Sequence, residues 1–173
     1  TKNNFSQWYI EPAVRYGTYI PFVRYHSYLA ESHQYNFDLH VGYQTTGKKE
    51  WEQRFNFPSY GFFFRYEHNT IASAKYEHRD ANGLPVTEYV NTIGDSYSLG
   101  GFINGNFYRG RSWSFDYDIL VGLSLWPKYG NEFIGSLVNV HLGLDVGPTF
   151  RISRYMDLGL RFWFAHSSNG AIV

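Results

Sequence analysis

The 173-residue chain is 21% aromatic and 17% charged, with 17 glycines, no cysteine and a formal net charge of zero. Zero net charge removes the general attraction that a nucleic-acid backbone exerts on a basic protein, and the lack of cysteine excludes disulfides and thiolate metal sites. No run reaches the ~18 consecutive apolar residues of a membrane-spanning helix and the mean hydropathy is negative, so any passage through a membrane would be made by strands.

The length suits one domain over residues 1–173, and the aromatic, glycine-rich composition favours strand over helix. Thr1-Lys2-Asn3-Asn4 does not read as a secretory signal, so an exported protein would be present in its mature form. The dominant signal is alternation of apolar and polar residues, the period of a β-strand. A first strand, about Gln7 to Tyr19, sets Trp8, Ile10, Pro12, Val14 and Tyr16 against Tyr9, Glu11, Ala13, Arg15 and Gly17. Pro12 restricts it to an edge or a bulge. A second, about Gln34 to Gln44, opposes Tyr35, Phe37, Leu39, Val41 and Tyr43 to Asn36, Asp38, His40, Gly42 and Gln44. A third runs from Tyr60 to Glu67.

The fourth, about Ser98 to Tyr108, is glycine-rich, and Gly100, Gly101 and Gly105 mark expected bends. The fifth places Trp113, Phe115, Tyr117, Ile119, Val121, Leu123 and Leu125 on one side. The sixth alternates Val138, Val140, Leu142, Leu144 and Val146 with Asn139, His141, Gly143, Asp145 and Gly147. The seventh, from Met156, alternates Leu158, Leu160, Phe162 and Phe164 with Gly159, Arg161, Trp163 and Ala165.

Strands with one apolar and one polar face fit a closed antiparallel up-and-down β-barrel. A soluble barrel turns the apolar face inward; a transmembrane barrel turns it to lipid and fills the lumen with polar groups. The five lysines, Lys2, Lys48, Lys49, Lys75 and Lys128, fall outside the strands, whereas a solvated sheet would carry several. The polar faces mix Glu11, Arg15, Asp38, Arg65, Glu67, Asp116, Asp118, Asp145 and Arg161, which suits an internally paired lumen. The transmembrane form is therefore expected, with Trp8, Tyr19, Tyr35, Tyr43, Tyr60, Trp113 and Trp126 as interfacial girdles. With the first strand starting on the periplasmic side, the longer intervals, about Ile20 to His33, His68 to Tyr97 and Trp126 to Ser136, face outward from the cell. Thr45 to Ser59 is a long exception.

His166 and Ser168 continue the apolar face of the seventh strand at its outer end. Two residues apart, they point the same way, so an imidazole could take a proton from a hydroxyl. Ser167 points to the opposite face. On spacing alone, such a triplet also fits an interfacial histidine and a serine opening a polar loop with Asn169 and Gly170.

The run His166-Ser167-Ser168-Asn169-Gly170-Ala171 resembles the His-x-Ser-Asn signature of the outer-membrane lipid A 3-O-deacylases, also called acyloxyacyl hydrolases. Gly42-Tyr43-Gln44-Thr45-Thr46-Gly47-Lys48-Lys49-Glu50-Trp51 and Phe57-Pro58-Ser59-Tyr60-Gly61 resemble the version found in Bacteroidetes-type bacteria. The resemblance implies an eight-stranded outer-membrane barrel hydrolysing an ester-linked acyl chain of lipopolysaccharide on its lipid-facing surface. It implies Ser168 as nucleophile, His166 as general base, and Asn169 with Gly170 in the oxyanion hole. The family's orienting acid follows the histidine on a last strand; no Asp or Glu follows Ser168 here. About seven strands are thus expected in this chain; the acid and the eighth strand are expected in a longer form of the protein, the alternatives being a closing strand from another chain or a barrel that has lost its activity.

Lipid A in the bacterial outer membrane is the implied partner, with a second copy or another membrane protein as further candidates. No cofactor is implied. The seven histidines lack tight ligand spacing, so no metal is expected; His40 and His141 are read as hydrogen-bonded in the lumen, and His68, Glu77 and His78 as loop residues. The alternative function is a non-catalytic outer-membrane scaffold or subunit of a surface assembly, binding a partner through the interval from His68 to Tyr97.

Overall fold

Alternating burial organises every long strand of the computed structural model, which describes residues 8–20, 32–70, 73–91, 93–129 and 134–168. The elements are β1 (Trp8–Thr18), β2 (His33–Gln44), α1 (Glu50–Arg54), β3 (Ser59–Thr70), β4 (Ser73–Arg79), β5 (Pro85–Asn91), β6 (Ser96–Arg109), β7 (Trp113–Leu125), β8 (Val138–Arg151), β9 (Asp157–Gly159) and β10 (Phe162–Ser168). One antiparallel sheet runs in the order β1-β2-β3-β6-β7-β8-β10, with β9 also pairing β8 and β4-β5 forming a separate hairpin. The sheet curls into a half-barrel of seven strands. No helix among the described residues is long and apolar enough to cross a membrane.

The expected seventh strand is interrupted at Leu160 and Arg161 rather than continuous. β9 and β10 nevertheless hold one register on β8, from Arg151↔Asp157 through Phe162↔Val146 to Ser168↔Val140. The N–H of Leu160 donates to the carbonyl of Pro148 at 2.9 Å and bridges the break. In β6 the register shifts between Asn106 and Tyr108, so Phe107 is the extra residue of a bulge, and Phe107 and Tyr108 are both exposed.

The polar faces turn inward and the apolar faces outward. Arg15, Asp38, Arg65, His141 and Asp145 are buried, while Ile10, Val14, Phe62, Leu99 and Phe162 are between 64% and 83% exposed. This is the inverse of a water-soluble barrel, whose apolar residues form its interior.

The lumen is packed. Asp38 accepts from Nε of Arg15 at 2.6 Å and from Nε and Nη2 of Arg65 at 2.8 and 2.7 Å. Arg15 reaches on to Asp145 at 2.6 Å, tying β1 to β8 across the interior. Nearer the β8–β9 turn, Arg161 lies 3.5 Å from both Asp116 and Asp118. Phe63, Phe102 and Leu120, with Tyr9 against them, make a small apolar waist. Glycine permits the strands' tight approach: a Cβ at Gly61 would fall 2.0 Å from the carbonyl oxygen of Val41, and one at Gly122 2.3 Å from that of Leu99.

Two girdle residues instead point inward. Tyr19 follows the parity of Arg15 and Gly17, and Trp126 that of Gly122 and Ser124, so both share the lumen's side. There they pack with Ile93 and Ile134 at one end of the half-barrel. Trp8, Tyr35, Tyr60 and Trp113 face outward and are exposed.

The two sheet edges are β1 and β10. Pro12 therefore sits in an edge strand, where its missing donor is tolerated. Successive antiparallel pairings make β1 and β10 run in the same direction. Their lumenal groups meet although their backbones do not pair among the described residues: the Trp163 indole lies so close to Gly17 that a Cβ there would be 2.7 Å from Cζ2.

Candidate active site

β10 positions the expected pair. Its register sets His166 opposite Leu142 and Ser168 opposite Val140, and β7 follows with Val121 and Leu123. His166 is exposed and Ser168 half-buried, both on the face that carries Phe162 and Phe164. Beside them lies an apolar surface built from Leu142, Leu144, Val121 and Leu123, all 43% to 55% exposed. A carboxylate beside His166 would interrupt it, and the outward residues of β8 next to the pair are Val140, Leu142 and Leu144.

Neither the His166 imidazole nor the Ser168 hydroxyl makes a side-chain hydrogen bond among the described residues, with each other or with a third group. The structure brings them to one face without joining them. Asn169 and Gly170, expected at the oxyanion hole, lie outside the described residues. Asp157 pairs with Arg151 at 3.8 Å at the far end of the same sheet position. Nine residues of strand separate it from His166, roughly 30 Å, so it cannot orient that imidazole.

Ser167 turns to the lumen, as its parity requires. Its hydroxyl lies 3.3 Å from Oγ of Ser124 and 3.3 Å from Nδ1 of His141. Ser98 continues the cluster, 2.9 Å from Ser124 and 3.5 Å from His141 Nδ1. This second serine–histidine constellation belongs to the packed lumen. Nη1 of Arg65 stands 3.4 Å from His141 Nε2, and a guanidinium only donates, so Nε2 is the acceptor. Nδ1 then carries the proton and donates to the hydroxyls, leaving no basic nitrogen facing them. His141, Ser98 and Ser124 are at most 1% exposed, which also denies a substrate access. Sequence parity placed His141 in the lumen; only the register revealed Ser98, Ser124 and Ser167 as its neighbours.

No family model, curated protein or solved structure matches the chain.

His40 is buried in the lumen as expected, its ring tilted against Phe102 with centroids 4.9 Å apart, but the expected hydrogen bond is not formed: Nε2 lies 3.7 Å from Asp38 and has no partner among the described residues. His68, Glu77 and His78 differ from their expected loop positions, Glu77 and His78 lying in β4. His68 belongs to β3, on the exposed face, with Nδ1 2.9 Å from Oδ1 of Asp95. Tyr66 donates to the other oxygen of Asp95 at 2.8 Å, so this carboxylate fastens the end of β3 to the segment leading into β6. Among the described residues no three His, Asp or Glu side chains cluster closely enough to hold a metal ion.

Proposed function

We propose that the chain is an outer-membrane serine esterase that removes an ester-linked acyl chain from lipid A, with Ser168 as nucleophile and His166 as its base. One observation carries the reading: His166 and Ser168 share the outward apolar face of β10, where a lipid ester would arrive sideways from the bilayer. Serine attack at neutral pH needs an adjacent base, and the oxyanion that forms needs fixed donors. Asn169 and the main-chain amides around Gly170 are the donors expected from the resemblance. An acyl chain would lie along Phe164, Leu142 and Leu144, which keep bulk water from the reacting carbonyl.

Lipid-facing walls support this reading. Aliphatic and aromatic side chains cover the outer surface of the seven strands, and Arg15 and Arg65 are paired with Asp38 and Asp145 within. Because β1 and β10 run the same way, one further strand antiparallel to both would close the barrel at eight. An open edge is not tolerated in hydrocarbon. That closing strand is the expected source of the acid that orients His166, since β8 presents only apolar groups on the other side.

Detergent-solubilised protein incubated with lipid A should release free fatty acid, and His166→Ala and Ser168→Ala should each abolish the release. Absence of fatty acid release by the parent protein from lipid A bearing ester-linked chains would favour the second reading, a non-catalytic barrel. The unjoined His166 and Ser168 favour that alternative, and the β4-β5 hairpin between β3 and β6 would be its partner-binding element.

A further inference from the structure

The zero net charge conceals a division between the two ends of the half-barrel. Antiparallel topology gathers the β2–β3, β6–β7 and β8–β9 connections at one end. Lys48, Lys49 and Arg54 lie on the first, Arg109 and Arg111 at the second, and Arg151 and Arg154 at the third, and all are exposed. By sequence this end has seven cations and three acids, Glu50, Glu52 and Asp157. The described residues of the connections at the opposite end have three cations, Lys75, Arg79 and Lys128, and four acids, Glu77, Asp80, Glu88 and Asp95.

An outward aromatic belt adjoins the basic end. Trp8 meets Tyr43 edge-on with centroids 5.3 Å apart, Tyr43 meets Tyr60 at 5.7 Å, and Tyr108 meets Trp113 at 4.7 Å. Arg109 follows Tyr108 directly and Arg111 precedes Trp113 by two residues, so these cations stand within about 7 Å of the belt along the chain. Amphipathic rings occupy the headgroup boundary of a bilayer, and cations just beyond them meet the phosphates.

We infer that this basic end is a docking surface for anionic phospholipid headgroups, holding the β2–β3, β6–β7 and β8–β9 turns against the phosphates of one leaflet. The inference rests on the lipid-facing reading of the outer surface. Charge complementarity selects the occupant. Phosphodiester headgroups match cations distributed over three connections of one rim, and the adjoining aromatic belt suits a lipid where it would not suit a soluble anion. Exposed Trp51 on α1 and Phe55 at its C-cap, next to Arg54, extend the same pairing of ring and charge to the longest connection at this end.

The test refolds the protein together with the strand that closes its sheet from urea into phosphatidylcholine vesicles containing phosphatidylglycerol and weighs the lipids retained on the extracted protein by native mass spectrometry. Phosphatidylglycerol should be retained about fivefold above its share of the bilayer, the factor that one cation near a lipid surface supplies. Raising the salt should lower that enrichment in the unaltered protein. Variants Lys48→Gln/Lys49→Gln/Arg54→Gln and Arg109→Gln/Arg111→Gln should each lower it towards the bulk share, while Lys128→Gln at the opposite end should not. Retention at the bulk share by a protein that has entered the vesicles would overturn the inference alone. A protein that stays in solution would overturn the lipid-facing reading and the inference together.

Discussion

Replacing Asp38 with asparagine tests whether the lumen is a dry, paired core or a water-filled channel. The carboxylate is fully buried and receives three guanidinium hydrogen bonds between 2.6 and 2.8 Å, from Arg15 and Arg65. Asparagine keeps the shape and one acceptor oxygen, but it removes the negative charge and turns an amide donor towards cationic donors. Breaking a buried pair in this way costs about 3–5 kcal/mol, because a desolvated cation is left uncompensated. Arg15 keeps Asp145 at 2.6 Å, so the loss falls mainly on Arg65. The comparison is Asp157→Asn, whose pair with Arg151 is 3.8 Å long and more than half exposed; it should cost less than about 1 kcal/mol. Urea unfolding of the vesicle-folded protein, followed by tryptophan fluorescence, measures both. The Trp163 ring lies 5.3 Å from the Arg65 guanidinium carbon and reports the site directly. Adding Arg65→Met to Asp38→Asn should recover more than about 1 kcal/mol, since the two residues are coupled. Equal losses for Asp38→Asn and Asp157→Asn would refute the packed-lumen account.

Further expectations follow from the faces and the glycines. Ile119, at the middle of β7 and 48% exposed, should tolerate arginine poorly if it faces hydrocarbon: Ile119→Arg should lose about 2–4 kcal/mol in vesicle-folded protein, whereas a change within about 0.5 kcal/mol, normal for a water-facing site, would contradict the reading. Gly122→Ala should destabilise by roughly 1–3 kcal/mol, the usual range for overpacking, because its Cβ would meet a backbone oxygen at 2.3 Å. Gly101→Ala, with its nearest contact at 3.6 Å, should be much milder; similar urea midpoints for the two would count against the close strand approach. Ser167→Ala removes weak contacts to Ser124 and His141 and should cost about 1 kcal/mol in the same titration; a loss several times larger would mean the lumenal cluster matters more than its lengths of 3.3 Å suggest.

Much of the architecture was legible because a strand's period of two assigns every side chain to a face. Arg15, Asp38, Arg65, His141 and Asp145 fall on one side by parity, and all five are buried. Parity also carries Tyr19 and Trp126 inward, against the expectation that aromatic residues near strand ends form girdles. Partners were not legible: which acid meets Arg15 depends on curvature that brings β1 near β8, and no local pattern encodes that. The β4-β5 hairpin escaped although its turn has a recognisable signal. Asn82-Gly83 closes it, Gly83 takes a φ of +76°, and the Asp80 carboxylate accepts from the backbone N–H groups of Asn82 and Leu84. In the candidate site the common face of His166 and Ser168 was readable from spacing. Their lack of a mutual hydrogen bond was not, because it depends on side-chain rotamers rather than on the strand period.

The most direct test of the account compares lipid A masses after exposure to the parent protein, Ser168→Ala and Ser167→Ala. The two serines are adjacent in sequence but lie on opposite faces of β10, so a lipid-facing site distinguishes them. The account predicts loss of one acyl chain with the parent protein and with Ser167→Ala, and none with Ser168→Ala. An unchanged lipid A mass with the parent protein, or loss of the acyl chain with Ser168→Ala, would contradict it.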